Sequence, residues 1–302
     1  MRYILRKAVL AAVPEIEISA KEYSSLASAK RTLSSALAIE EKYEVLIANF
    51  LALEQEVLRI AATNAVRNTA SYSEFFDTRS ALNICLVNLL TAARLYLDQL
   101  PQDIADCIPD TQEATDLVKA RCSREYDEHF GFRFMEALRN HVQHRGIPIH
   151  FVSQTSRLTS LEEDGLMEFT VEIAAQRRYL EQDEKFKKTI LREVTGDVDL
   201  KAASRRYVES LSAINEFARG LVAESVRVAR EQIESAHNRY AEHFAGKLTG
   251  LSASAIHDGR EVSSVPLLLD WDDVRLELQK RNTELKNLTK RYATSQATKP
   301  KK

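Results

Sequence analysis

Residues 139 to 145 read Arg139-Asn140-His141-Val142-Gln143-His144-Arg145, so guanidinium, carboxamide and imidazole groups fall within two helical turns. A guanidinium offers phosphoryl oxygens a planar fork of permanent charge, an imidazole titrates near neutrality, and a carboxamide can orient either. Such groups suit attack on, or transfer of, a phosphate. In metal-independent RNA cleavage a base takes the ribose 2′-OH proton, a cation stabilises the phosphorane, and an acid protonates the 5′ leaving oxygen. One histidine cannot easily be base and acid in the same step. A two-fold dimer placing two Arg139/His144 pairs across one cleft would supply both, and closed two-fold dimers are the commonest assembly. A metal site from His141, His144 and His150 competes weakly, because no acidic residue or cysteine stands near in a ligand pattern. No metal and no cofactor is expected.

These groups need a helix to position them. At about 100° per residue, Phe134, Met135, Leu138 and Val142 form an apolar stripe, and Glu136, Arg139, Asn140, Gln143 and His144 fill the opposite sector. His141 projects beside the stripe, as a packed or interface histidine would. Asn140 and His144 are about 40° apart, whereas Arg139 stands about 140° from His144 and must reach round to converge with it. The plain alternative is a solvated face with Arg139 paired to Glu136 or a neighbouring helix. Gly146 predicts a C-terminal cap and Pro148 disfavours helix at Ile147. His144 is thereby placed on a last turn, where the helix dipole favours a cation. Arg145 gains from the same dipole without needing a ligand.

The surrounding chain predicts a mainly α fold, a long-helix antiparallel bundle with a small β-hairpin insertion. Its 302 residues hold only 8 Gly and 6 Pro, and the first glycine is Gly131. Helical spacing runs from about Lys21 to Asn68, from Ser73 and Glu74 to a stop at Pro101, and from Asp110 and Glu113 to Arg145 with a bend at Gly131. Alternation at Ile147–Phe151 and Leu166–Ile173 predicts a hairpin with an acidic connection around Leu161–Gly165. Helix returns at Gln176–Val194 and from Leu200 to about Phe244; Ala245–Asp270 reads as a loop or hinge. An amphipathic helix, or short coiled coil, follows from Trp271 to Tyr292, and Ser295–Lys302 reads as disordered. The expected divisions are a helical domain at 1–146, the hairpin at 147–175, packing helices at 176–245, a loop at 246–270 and a basic helix and tail at 271–302.

A net charge of −2 excludes holding polyanions by bulk charge. From Arg275 to Lys302, nine Lys/Arg stand against two Glu, a local +7 that leaves −9 on residues 1–274. That segment is either a solvated face or an attractor of RNA or an acidic partner. Three cysteines, Cys85, Cys107 and Cys122, are odd in number and lack C-x-x-C spacing, which argues against a disulfide framework or zinc knuckle and fits a reducing cytoplasm. The apolar run Ala8–Val13 is too short for a secretory segment, and no window is expected to span a membrane.

Arg139-Asn140-x-x-x-His144 late on a helix resembles the R-x4-6-H signature of the HEPN superfamily (higher eukaryotes and prokaryotes nucleotide-binding). The likeness covers Tyr43–Pro148. It implies a helical domain that dimerises through its motif helices and, in many members, a metal-independent endoribonuclease of toxin–antitoxin or phage-defence systems. Carried over, Arg139 and His144 are catalytic and Asn140 supports them; Arg145, Gln143 and His141 beside them are the candidate substrate contacts. RNA, a second copy and an antitoxin or defence partner are the implied partners. One subgroup carries a modifiable Tyr two residues after the His; here that position is Gly146, which puts such regulation in doubt. The rival reading is a non-catalytic helical adaptor.

Overall fold

The computed structural model describes residues 1–7, 13–67, 71–108, 111–161, 165–244 and 248–293. In chain order the elements are β1 (Arg2–Lys7), β2 (Ile16–Ile18), α1 (Ala20–Val66), α2 (Tyr72–Cys107), α3 (Thr111–Glu128), α4 (Phe130–His144), β3 (Phe151–Leu158), β4 (Met167–Ala175), α5 (Arg177–Leu180), α6 (Lys188–Glu193), β5 (Val198–Asp199), α7 (Leu200–His243), β6 (Leu251–His257), β7 (Arg260–Pro266) and α8 (Asp270–Arg281). Helix accounts for 67% of the structure, with small antiparallel sheets, so the fold is mainly α. Two compact units divide it: residues 1–45, 95–121 and 215–283 form one, and residues 46–94, 122–214 and 284–302 the other.

The first unit packs Leu26, Leu33 and Tyr43 of α1 with Tyr96 and Ile104 of α2 and Val222 and Ile233 of α7. Tyr96 donates to Asn215 Oδ1 at 3.0 Å, satisfying a hydroxyl that burial would otherwise leave costly. Its antiparallel sheet has the order β2-β1-β6-β7 and replaces the loop expected at 245–270. The period-2 signal is hidden because Leu251 to Ala255 are all buried and four of those five residues, 252 to 255, are Ser or Ala. Gly259 (φ 75°) and Asp258 (φ 47°) make the left-handed turn between β6 and β7.

α2 continues through Pro101 rather than stopping there. An interior proline costs about 3 kcal/mol, and the burial of Leu100, Ile104 and Cys107 around it offsets that cost. Its N-terminus is closed by Ser71 and Glu74, each capping the other's backbone N–H at 3.2 Å, not by Ser73. α2 is also, against expectation, long and apolar enough to cross a membrane by length and composition. Its Leu82, Leu86, Leu89 and Leu90 are nevertheless spent on burial within the protein.

α8 ends at Arg281, short of Tyr292, and Asn287 beyond it is left-handed (φ 58°), so no coiled coil forms. Its basic face is largely consumed: Arg275 bonds Asp272, Lys280 bonds Glu277 and Arg281 bonds Glu44. The Asp110 cap and the residues from 294 onward lie outside the described residues.

The second unit holds α4, the three-stranded sheet β3-β4-β5 and the first turns of α7. The predicted hairpin is present, with Val152 opposite Ile173 and Thr155 opposite Thr170, although it begins at Phe151 rather than Ile147. The helix expected across Gln176–Val194 is instead two short pieces, α5 and α6, flanking an irregular turn at 181–187. That turn carries the residue on which the candidate site depends.

Candidate functional site at the end of α4

The break between α3 and α4 falls at His129, which is extended (φ −121°, ψ 107°), and not at Gly131. Gly131 serves contact instead. A Cβ there would stand 2.9 Å from both Cβ and Cγ of Arg206, so only glycine lets α4 approach α7 this closely. Phe132 packs on Tyr207 with centroids 5.2 Å apart, and Arg133 forks onto Glu193 of α6, fixing the helix about its axis. Phe134, Met135 and Leu138 are fully buried as the periodicity predicts. At the end of the stripe, His141 takes the deep position and Val142 lies only half-buried. Arg145 and Gly146 both donate to the His141 carbonyl, at 2.8 and 3.3 Å, and close the helix. Gly146 does this without a left-handed φ, so the expected glycine cap is replaced by a cap at Arg145.

Asn140, Gln143, His144 and Arg145 are exposed and Arg139 is half-buried. Arg139 Nη1 donates to Gln143 Oε1 at 2.6 Å, one turn along its own face. Glu136, a candidate partner for it, instead accepts from the buried Tyr207 hydroxyl and lies 3.9 Å from Arg94. Burial, reinforced by Glu136, pushes the Tyr207 hydroxyl's pKa well up, so it stays a donor. Asn140 and His144 line a cleft of about 230 Å³ with His141, Lys185 and Lys187, and Arg139 is not among its walls. The convergence of Arg139 on His144 therefore does not occur within one chain. Five residues separate the two by about 140°, and Gln143 holds the guanidinium on its own sector.

His141, expected to pack beside the apolar stripe and also named as a substrate contact, is packed: it is 6% exposed, and its Nδ1 lies 2.8 Å from Asp183 Oδ2. The carboxylate assigns the proton to Nδ1 and leaves Nε2 as the open nitrogen. Burial pushes the Asp183 carboxyl up, but hydrogen bonds from His141 and the Lys185 N–H, with the charges of His141 and Arg145, outweigh it and hold it below the usual range. Arg145 is half in solvent and uses Nε to reach Asp183 Oδ1 at 3.3 Å. Asp183 is 42 residues from His141 in a turn with no periodic pattern, and no sequence signal marks it. Cys85, Cys107 and Cys122 form no disulfide among the described residues.

On the far side of this dyad lies a second pocket, of about 420 Å³, that also takes in Arg79, Arg145, His150 and Tyr179. His150 Nδ1 accepts the Gln176 N–H at 3.1 Å, and its ring lies 4.9 Å from Tyr179 and 6.0 Å from His141. Burial, with His141 and Arg79 nearby, lowers its pKa to about 4 against the opposing pull of Asp197 and the Ile147 carbonyl. Among the described residues no three His, Cys, Asp or Glu side chains are grouped as metal ligands would be. No family model matches this chain, and neither a curated protein nor a solved structure is detectably similar to it.

Proposed function

We propose that this protein is a HEPN-type, metal-independent endoribonuclease working at the end of α4. One observation carries the reading: exposed His144 and the Asp183-backed His141 line one cleft, giving an acid and a base one helical turn apart. His141 Nε2 takes the 2′-OH proton as O2′ bonds to phosphorus. The P–O5′ bond breaks, and protonated His144 gives its proton to O5′, leaving a 2′,3′-cyclic phosphate and a 5′-hydroxyl. Asp183 holds the base in its tautomer, Asn140 orients the phosphate or His144, and Lys185 and Lys187 attract the strand. Arg139, on the adjacent sector, reaches the phosphorane across a two-fold axis from a second copy.

The test is cleavage of labelled single-stranded RNA with EDTA present. Wild type is expected to cleave, and Arg139→Ala and His144→Ala each to lose about 10²-fold or more. Mixing the two variants is expected to restore part of the activity, because a heterodimer rebuilds one intact composite site. Activity surviving in both variants would sink the assignment. The capture of Arg139 by Gln143 favours a second reading, a non-catalytic helical adaptor. A wild-type protein that leaves RNA intact while Arg139→Ala changes nothing would establish that reading instead.

A further inference from the structure

We propose that the pocket walled by Arg79, Arg145, His141, His150 and Tyr179 is a separate binding site for the phosphate monoester of a mononucleotide-sized ligand. Arg79 and Arg145 are tethered in the same manner, each by Nε: Arg79 to the Ile149 carbonyl at 3.4 Å and Arg145 to Asp183 at 3.3 Å. Neither has an Nη atom committed to a partner among the described residues, so two planar forks, fixed at their bases, present free donors to one cavity. Arg79 is half-buried with no carboxylate against it, an expensive place for a guanidinium unless an anion completes it.

The net charge of the walls agrees. Asp183 balances one guanidinium, and His150 is uncharged at neutral pH, so about one positive charge is left over. His141 walls the same cavity but donates nothing to a phosphate, because its proton stands on Nδ1 against Asp183. Tyr179 has His150 at 4.9 Å and the Arg178 guanidinium at 4.9 Å, so both neighbours compete for its ring and base stacking on it is not part of the proposal. About 420 Å³ exceeds what a lone phosphate needs and lies within the usual range for small-ligand sites. The same chemistry serves a free nucleotide or the 5′-phosphate end of an RNA strand. The site does not depend on RNA being cleaved.

Calorimetric titration of the full chain with inorganic phosphate, adenosine 5′-monophosphate, and a 5′-phosphorylated RNA hexamer beside its 5′-hydroxyl twin tests this. Phosphate and the mononucleotide are expected to bind saturably, at least tenfold more weakly in Arg79→Ala and in Arg145→Gln, and unchanged in His144→Ala. Arg79→Lys is expected to recover part of the loss. On phosphate addition the ring resonances of His141 and His150 should move while those of His129 stay. Preference for the 5′-phosphorylated hexamer identifies a strand end as the occupant, and equal binding of the two hexamers beside tight mononucleotide binding identifies a free nucleotide. No saturable uptake of phosphate or mononucleotide, or uptake indifferent to both arginine variants, overturns the proposal. Arg145→Gln keeps the test decisive if Arg79→Ala loses thermal stability; inorganic phosphate and the mononucleotide cannot be cleaved, and both hexamers are used as 2′-O-methyl strands, which lack the attacking hydroxyl.

Discussion

The two faces of the last turn of α4 are built on opposite terms. Outward, Asn140, Gln143 and His144 stand in solvent, and what ties this face is the Arg139–Gln143 hydrogen bond. Inward, one turn of the same helix places His141 against Asp183, with Arg145 and His150 joined to the same cluster. Solvent screens and replaces the outward contacts, so they hold little free energy and are free to meet a ligand. His141 and Asp183 have lost water and depend on each other, and Arg145 reaches them from half in solvent. The same residue types, histidine and arginine, thus act as open chemistry on one side and as a positioned framework on the other.

The largest expected contrast is between Asp183→Ala and His144→Ala. Removing Asp183 strands the buried Nδ1–H of His141 and should lower the unfolding free energy by about 1–3 kcal/mol, whereas His144→Ala should stay within about 0.5 kcal/mol of wild type. Urea titrations of both variants check this, and equal losses would break the distinction between the faces.

Acidification gives the next contrast. The His150 pKa is depressed in the folded state, to about 4. The unfolded chain, with its histidine near 6.5, binds the extra proton first, so the contribution is intact above about 6.5 and is lost as pH falls towards 4. After solvent screening the loss is on the order of 1 kcal/mol, or roughly 2–4 °C in Tm. The Asp183 carboxyl is likewise depressed, and its contribution, present above about 4, is lost as pH falls further through the folded value. Thermal melts from pH 7.5 to 3 should show both falls in wild type. His150→Asn should flatten the upper one and Asp183→Asn the lower; unchanged profiles would show that neither group is linked to folding.

The smallest effect belongs to Gln143→Ala. Losing one exposed i,i+4 pair should cost about 0.2–0.5 kcal/mol. On the ribonuclease reading the variant also frees Arg139, so RNA cleavage should change while urea stability hardly does. A stability loss above 1 kcal/mol would place Arg139 and Gln143 in the framework rather than on the open face.

Legibility from sequence followed the range of the responsible forces. The 3.6-residue stripes of α1 and α7 marked 47 and 44 residues of helix because each apolar position reports its own turn. The β3–β4 pairing was readable from alternation, but β6 was not, since it is buried on both faces and built from small residues. Pro101 misled because its local cost is outweighed by burial that no local pattern reports. Within the site, the periodicity placed Arg139, Asn140 and His144 correctly about the helix axis, and the failure of Arg139 to join His144 follows from those same angles.

Sequence periodicity alone was enough to mark the long helices α1 and α7, to require that α4 stop by Pro148, and to name the groups its polar sector presents, because backbone geometry repeats at short range. Long-range packing settled that Asp183 meets His141, that Arg79 lines the same pocket, and that Gly131 exists for the approach of α7. Those outcomes depend on contacts between residues tens of positions apart, and chain spacing carries no record of which distant side chain will fill the space beside a buried imidazole.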